Sequence, residues 1–548
     1  MSDAAPAAER MLVRAAWAVA TAYALYGLGA MVLLAPRVPY ADPWRFLATF
    51  LERPFPADVL ASDNGHREVL PNLLRVCELE WFAASQWLQI LAGTVLAVAA
   101  FGVALRALRP LSPSRRALGA ASIAAGLFWL GNGRKLTHGN ESVHLFLVVL
   151  LLLTGLGAIV RDQRGVAPRS ALIAALCGTL ATFSFGSGLA CFPAFAVVMF
   201  LQGASVRQLL LLAGAAALAT LGLVAGTTRE PFSLLLGERV DLLLRWLGGP
   251  SIWAFSPFLD PAHAARMPNE PLQFLTLPVA EVMHDTFGPR LFARWPAFAF
   301  GAFGLSWLLW ATVRAYRASR GTVERLALGL AWFGVGVGML VVGLRVEYFR
   351  QFPKEVTTPR YIPWSMLLWT GLLLVAVVRA RSAAAAAFCV GGFALALLPS
   401  TVWTTRQAFE QRLVAELTAL GAAVGVLGQD FDLVETNAED LARALPLLRE
   451  RGCAMFAWPE TALLGQPLPA TAQPVQLTNL HVHTVVNRFS GDGSEVTGIA
   501  EGAGGRLVLC GKDHLVCGLL TKLPFDAHWR GFVRGHPAPG ELTAARLP

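Results

Sequence analysis

About eleven blocks of apolar sequence restrict this chain more than any other feature, most of them roughly 16 to 20 residues long, enough for an α-helix to cross about 30 Å of hydrocarbon. They fall at 15–35, 83–105, 117–132, 143–160, 170–188, 191–202, 208–226, 297–313, 326–344, 365–378 and 383–402. Of the 548 residues, 55% are hydrophobic and only 15% are charged, where a soluble protein carries about a quarter. Several tryptophans stand at block ends (Trp81, Trp87, Trp295, Trp364 and Trp403), as interfacial anchors do. The first block follows Arg10 and Arg14. It is too long for the core of a secretory signal and precedes no clear cleavage site, so it reads as an uncleaved span.

The loops assign sides. Short basic loops at 106–116, 161–169, 314–325 and 379–381 alternate with longer, mixed-charge loops at 36–82, 133–142, 227–296 and 345–364. With the basic loops in the cytoplasm the parity closes: N-terminus inside, eleven crossings, C-terminal domain extracytoplasmic. The net charge of +9 is then a signature of orientation, so the expected partner is a lipid bilayer and not nucleic acid. Within 227–296, residues 234–247 carry an apolar stripe opposite Glu238, Arg239, Asp241 and Arg245, which suits a helix on the membrane surface or one packed against other spans.

Composition changes after Trp403. Residues 403–473 read as a helical connector, with Asn437 capping a second helix through Arg449. From 474 to 548, short β-type runs at 475–477, 481–486, 496–499, 507–510 and 515–520 are separated by Gly and Asp. The expected fold class is therefore mainly α. A polytopic transmembrane helix bundle fills 1–402, with outer loops at 36–82 and 227–296, and an extracytoplasmic α+β domain ends in a small β-sandwich. Cys510 and Cys517 flank a hairpin turn and would pair only if that side is oxidising and their geometry allows it.

Chemistry concentrates in the outer loops. The first holds Asp42, Asp58, Asp63, Glu68, Glu78 and Glu80. Such a carboxylate can draw a proton from an acceptor hydroxyl, hold a divalent cation against a phosphate, or simply cap a helix. In the loop 133–142, Arg134 and Lys135 can meet a phosphate. Glu141 and His144 lie one helical turn apart, where they can share a proton or a metal ion, although two ligands do not define a metal site. Ser184, Gly186, Ser187 and Gly188 before Pro193 permit close helix packing. Arg360 stands in an outer loop that is basic against the orientation bias, and a guanidinium can hold a phosphate by two parallel bonds. His481 and His483 share one face of a strand, and solvated imidazoles account for them.

Taken in order, these motifs resemble a group of bacterial inner-membrane proteins related to GT-C glycosyltransferases. The matching positions are Asp42 and Trp44, then Asn64, His66 and Arg67, Asn140, Ser184 with Gly188 and Pro193, and Arg360 with Tyr361. The resemblance covers about residues 15–380. It implies a GT-C-like bundle that takes a sugar from a polyprenyl-phosphate donor to an envelope glycan or lipid acceptor at the outer face. Asp42 or Asp63 would be the base; Pro43 after Asp42, and Gly65 beside His66, depart from the family pattern and leave both acids open. Trp44, His66, Arg67, Asn140 and Tyr361 would bind substrate, and Arg360 would hold the lipid phosphate. A transporter or flippase of a lipid-linked or anionic substrate is the competing reading, as is a non-catalytic membrane protein that displays its C-terminal domain.

Overall fold

A computed structural model describes residues 4–63, 66–162, 165–225, 236–267, 270–318, 321–429, 438–501, 505–523 and 527–548, the side chains of 4–6, 42, 46, 49, 63 and 289–294 excepted. The described chain is mainly helical. It divides into two compact units, the first built from Met1–Leu33, Ser62–Pro71 and Ile90–Gln407 and the second from Leu34–Ala61, Asn72–Gln89 and Ala408–Pro548.

In chain order the helices are α1 (Ala4–Leu33), α2 (Asp42–Glu52), α3 (Val69–Phe82), α4 (Trp87–Ala107), α5 (Pro113–Phe128), α6 (Gly133–Thr137), α7 (Gly139–Arg161), α8 (Pro168–Thr182), α9 (Cys191–Leu201) and α10 (Val206–Val224). Then follow α11 (Leu236–Phe255), α12 (Pro261–Ala264), α13 (Glu270–Arg317), α14 (Thr322–Leu344), α15 (Val346–Gln351), α16 (Ile362–Arg379), α17 (Ala383–Ala396), α18 (Leu398–Val424) and α19 (Ala438–Glu450). Every apolar block of the sequence falls on one of these helices. Eight helical stretches are long and apolar enough to cross a bilayer. Helices α5, α8 and α9 run only 16, 15 and 11 residues and fall below that length. Local chemistry sets several starts: Pro168 opens α8, and Ser205 and Gln208 form a capping box on α10.

In the first unit, loops of one kind meet one another. Arg115 donates to the carbonyls of Val378 and Ala380, Arg325 to Gln202, and Arg379 to Glu324, all at the ends bearing short basic loops. The longer loops meet in their own cluster, described below. Helix α11, expected on the membrane surface or packed, is packed: it lies against α13 so closely that a Cβ on Gly301 would come within 1.8 Å of the Leu244 carbonyl oxygen. The reciprocal Cβ on Gly248 would sit 1.8 Å from the Ala297 carbonyl. Helix α13 kinks at Gly288, whose φ of 69° a residue with a Cβ adopts rarely. Of the expected interfacial tryptophans, Trp81, Trp87 and Trp295 are exposed, whereas Trp364 and Trp403 are buried in the first unit's interior.

The second unit takes in most of the first loop, which the sequence reading had drawn with the spans. Arg443 pairs with Glu52 at 3.0 Å, Arg451 donates to the Leu51 carbonyl, and the Ala454 amide donates to the Ala83 carbonyl at 2.6 Å. Two short strands, β1 (Ser62–Asp63) and β2 (His66–Arg67), form a hairpin in the first unit. The C-terminal strands are β3 (Gln473–Val475), β4 (Thr478–Thr484), β5 (Gly493–Ile499), β6 (Arg506–Cys510), β7 (Val516–Lys522), β8 (His528–Arg534) and β9 (Thr543–Arg546). They form one antiparallel sheet in the order β3-β9-β6-β7-β8-β5-β4, a half-barrel, and not the expected sandwich. A second sheet is not needed. Val508, Leu519 and Phe532 line up across three strands and pack with Leu417, Ala423 and Leu441 of α18 and α19. The opposite face closes on its own core around Leu509, Leu520 and Trp529. Strands β8 and β9 have no counterpart among the expected runs. Cys510 and Cys517 are free thiols: Cys510 lies opposite Val516, so strand alternation sends the two sulfurs to different cores.

Candidate functional site

The strongest concentration of buried charge in the first unit forms where β2 meets the starts of α7 and α16. Glu68 follows β2 directly and is 5% exposed; its Oε2 lies 3.1 Å from Nε2 of His144, on the second turn of α7. One turn earlier on that helix, Glu141 pairs with Arg134 at 2.6 Å and with Lys135 of α6. Glu141 and His144 therefore serve different partners and do not share a proton or a metal ion. The three-residue spacing turns the two side chains to neighbouring positions on one face, and β2 and α6 supply a counter-charge to each.

Phe185 organises the rest. It lies between α8 and α9, in the segment just before Gly186, and its ring stacks on His66 at 4.6 Å, on His144 at 5.1 Å and on Trp364 at 5.9 Å. The Lys135 ammonium stands 5.0 Å from the same ring, within cation–π range. Gly186 is required here, because a Cβ would come within 2.3 Å of Nδ1 of His66. The small residues at 184–188 thus make room for an aromatic platform as well as for packing. Ser184 itself only bonds back to the Leu180 carbonyl, and Gly188 lies against the backbone of Ala181. A charged pair inside an apolar bundle is costly unless each partner is compensated, and both carboxylates here are.

The other sequence candidates distribute themselves differently. Arg67 donates to the carbonyl of Ala225 at 2.5 Å and leaves the Glu68 cluster. Asn140 is buried beside Glu141 on the first turn of α7. Arg360 makes its own cluster, donating to Glu355 at 2.5 Å and to the Tyr348 hydroxyl at 3.0 Å, with its guanidinium 5.2 Å from the Tyr361 ring. Burial works against that charge, but Tyr361, Glu355 and Tyr348 outweigh it and the net shift of the Arg360 pKa is upward. Tyr361 accepts from Arg345 at 3.1 Å. Asp42 opens α2 in the second unit, and Asp63 lies in β1; both side chains lie outside the described residues, as does Asn64. Trp44 is 1% exposed in the second unit's hydrophobic core, so it presents no surface to a ligand.

No group of three or more His, Cys, Asp or Glu side chains suited to a metal ion occurs among the described residues. The sequence reading missed Phe185 and the pairing of Glu68 with His144. An aromatic flanked by Ser184 and Gly186 in an otherwise featureless span was the available signal for the first. No family model matches the chain, and no curated protein matches it.

Proposed function

We propose that this chain is a GT-C-type glycosyltransferase of a bacterial inner membrane, crossing it eleven times with its N-terminus in the cytoplasm. It moves a sugar from a polyprenyl-phosphate donor to an envelope glycan or lipid acceptor at the outer face. The observation that carries the reading is the buried Glu68–His144 pair beside His66 and the Phe185 ring, with Lys135 and Arg134 one turn away. In this assignment Glu68 takes the proton of the acceptor hydroxyl as the oxygen attacks the anomeric carbon. The bond from that carbon to the donor phosphate breaks, and its electrons leave with the polyprenyl phosphate. His144 holds Glu68 ionised and oriented, and the two cations face the departing anion. Asp42 and Asp63, the acids of the family resemblance, compete with Glu68 for the role of base.

The test is complementation of a knockout, reading envelope glycan and in-vitro transfer by membranes supplied with a labelled polyprenyl-phosphate sugar. Glu68→Gln is expected to lower transfer by about 100-fold or more, the usual contribution of a positioned base, at normal expression. Asp42→Asn, Asp63→Asn and Arg360→Ala are run beside it. Loss with an aspartate variant alone moves the base and keeps the transferase; wild-type glycan in all four removes the transferase. A transporter or flippase is the second reading, favoured by the burial of Glu141 and His144 within an apolar helix. It predicts donor movement across vesicles without sugar transfer.

A further inference from the structure

The largest recess of the first unit lies away from this cluster, between α9, α10 and the C-terminal half of α13. It is an open groove of about 770 Å³. Ala196 and Phe200 come from α9, Ala213 and Ala216 from α10, and Val313 and Tyr316 from α13. The alanines repeat at helical spacing, and on α10 they follow Leu209 and Leu212 along a single stripe. Apolar side chains make nearly the whole lining, with the Thr312 hydroxyl already used by Leu308 and Trp332.

One end of the groove is marked. Phe200 and Tyr316 stack across it at 5.5 Å with their planes 7° apart. This is the end where α9 finishes, α10 begins and α13 finishes, all at short basic loops. Arg207 stands two residues before Leu209 on α10, and Arg317 directly follows Tyr316 on α13; both are exposed. Neither arginine has an acidic partner among the described residues, whereas Glu324 nearby in sequence is committed to Arg379. The groove is thus apolar along its length and cationic at one mouth.

We infer that this groove seats one anionic phospholipid, with an acyl chain along Ala196, Ala213 and Val313 and its phosphate at Arg207, Arg317 and the Tyr316 hydroxyl. The charge asymmetry selects that occupant. A neutral lipid would leave both arginines without a counter-ion, and a peptide helix would bring backbone and polar groups into a lining that offers them nothing. The inference does not depend on the transferase reading, because none of these residues belongs to the Glu68 cluster.

The full chain, purified in detergent and stripped of lipid, is titrated with phosphatidylglycerol, phosphatidylcholine and polyprenyl phosphate, with bound lipid counted by native mass spectrometry. One phosphatidylglycerol per chain is expected to bind saturably and in preference to phosphatidylcholine. Arg207→Gln and Arg317→Gln should each reduce that preference by about fivefold, the worth of one basic group at a membrane surface. Ala213→Trp, which fills the groove, should abolish the saturable site for both phospholipids while an unchanged melting temperature reports an intact fold. Should Ala213→Trp fail to fold, the arginine variants decide alone, since both side chains are exposed. Equal binding of the two phospholipids, unchanged preference in both arginine variants, or stronger saturation by polyprenyl phosphate overturns the assignment.

Discussion

The Glu78 carboxylate lies buried in the second unit beneath a turn whose backbone is unusual: Ala83, Ala84 and Gln86 have φ of 48°, 57° and 66°. Its oxygens accept from the Gln89 amide at 3.1 Å and from the Ser85 hydroxyl at 3.4 Å, tying α3 to the first turn of α4. An acid that the sequence offers as catalytic is here a cap, and Glu78→Ala should cost about 1–3 kcal/mol for the donors it strands. Burial raises the Glu78 pKa above the usual carboxylate range, although the Gln89, Gln86 and Leu88 amides and Ser85 pull the other way. A raised folded-state value means the folded chain binds the proton more tightly than the unfolded one. The resulting stabilisation is full below the ordinary carboxylate pKa and is lost as pH rises through the folded-state value. Melting temperatures of wild type and Glu78→Gln, measured from pH 4 upward, should therefore diverge with pH; parallel curves would refute the shift. The same comparison marks what was legible at this scale. Six acids stood out in the loop by type, but their roles depend on partners far along the chain: Glu68 on His144, Glu78 on a local turn. Spacing could not supply either.

Helices α14 and α16 show why span positions were easier to read than their partners. Apolar length alone locates both, and Glu324 in the first turn of α14 with Arg379 in the last turn of α16 complement the helix dipoles at their own ends. That they meet each other as a buried ion pair needs the fold. Glu324→Gln should destabilise by about 3–5 kcal/mol by stranding the arginine, and Glu324→Leu combined with Arg379→Met should cost less than that single change. A double variant as unstable as the sum of its singles would contradict the pairing. Helix α11 gives the opposite lesson. Its charged stripe reads equally as surface or packed, and the decision lies in two glycines: Gly248 and Gly301 let its backbone touch that of α13. Gly301→Leu should force the helices apart and lower the melting temperature, whereas Gly237→Ala on the same helix, with nothing within 4 Å, should be close to neutral. In the sheet, five strands were legible from β-branched runs between turns. Strand β8 was not, because Arg530, Gly531 and Arg534 break its apolar pattern, and Arg530 is held by Glu495 of β5.

At the level of the whole chain, the first loop changes what a domain boundary means. A linear reading cuts near residue 402, where apolar spans stop. The compact units instead assign 34–61 and 72–89 to the same body as Ala408–Pro548. Helix α2 packs its Trp44, Leu47 and Leu51 into a core shared with Leu441, Leu448 and Met455. With α2 carrying that much apolar surface, the loop cannot be a solvated tether between two spans; it needs the C-terminal residues to bury its tryptophan. Ending the chain after Gln407 should therefore leave every helix of the first unit in place but strip α2 of its core. Hydrogen exchange of detergent-purified protein reads this directly. Backbone amides of Asp42–Glu52 should lose protection in the truncated chain, while those of α7 and α14 keep theirs. The full-length double variant Arg443→Ala with Arg451→Ala should show a smaller loss at α2, since it removes the Glu52 pair and the bond to the Leu51 carbonyl but leaves the apolar contacts. If α2 stays as protected after truncation as before, the loop holds itself together, and the boundary near 402 is the correct one.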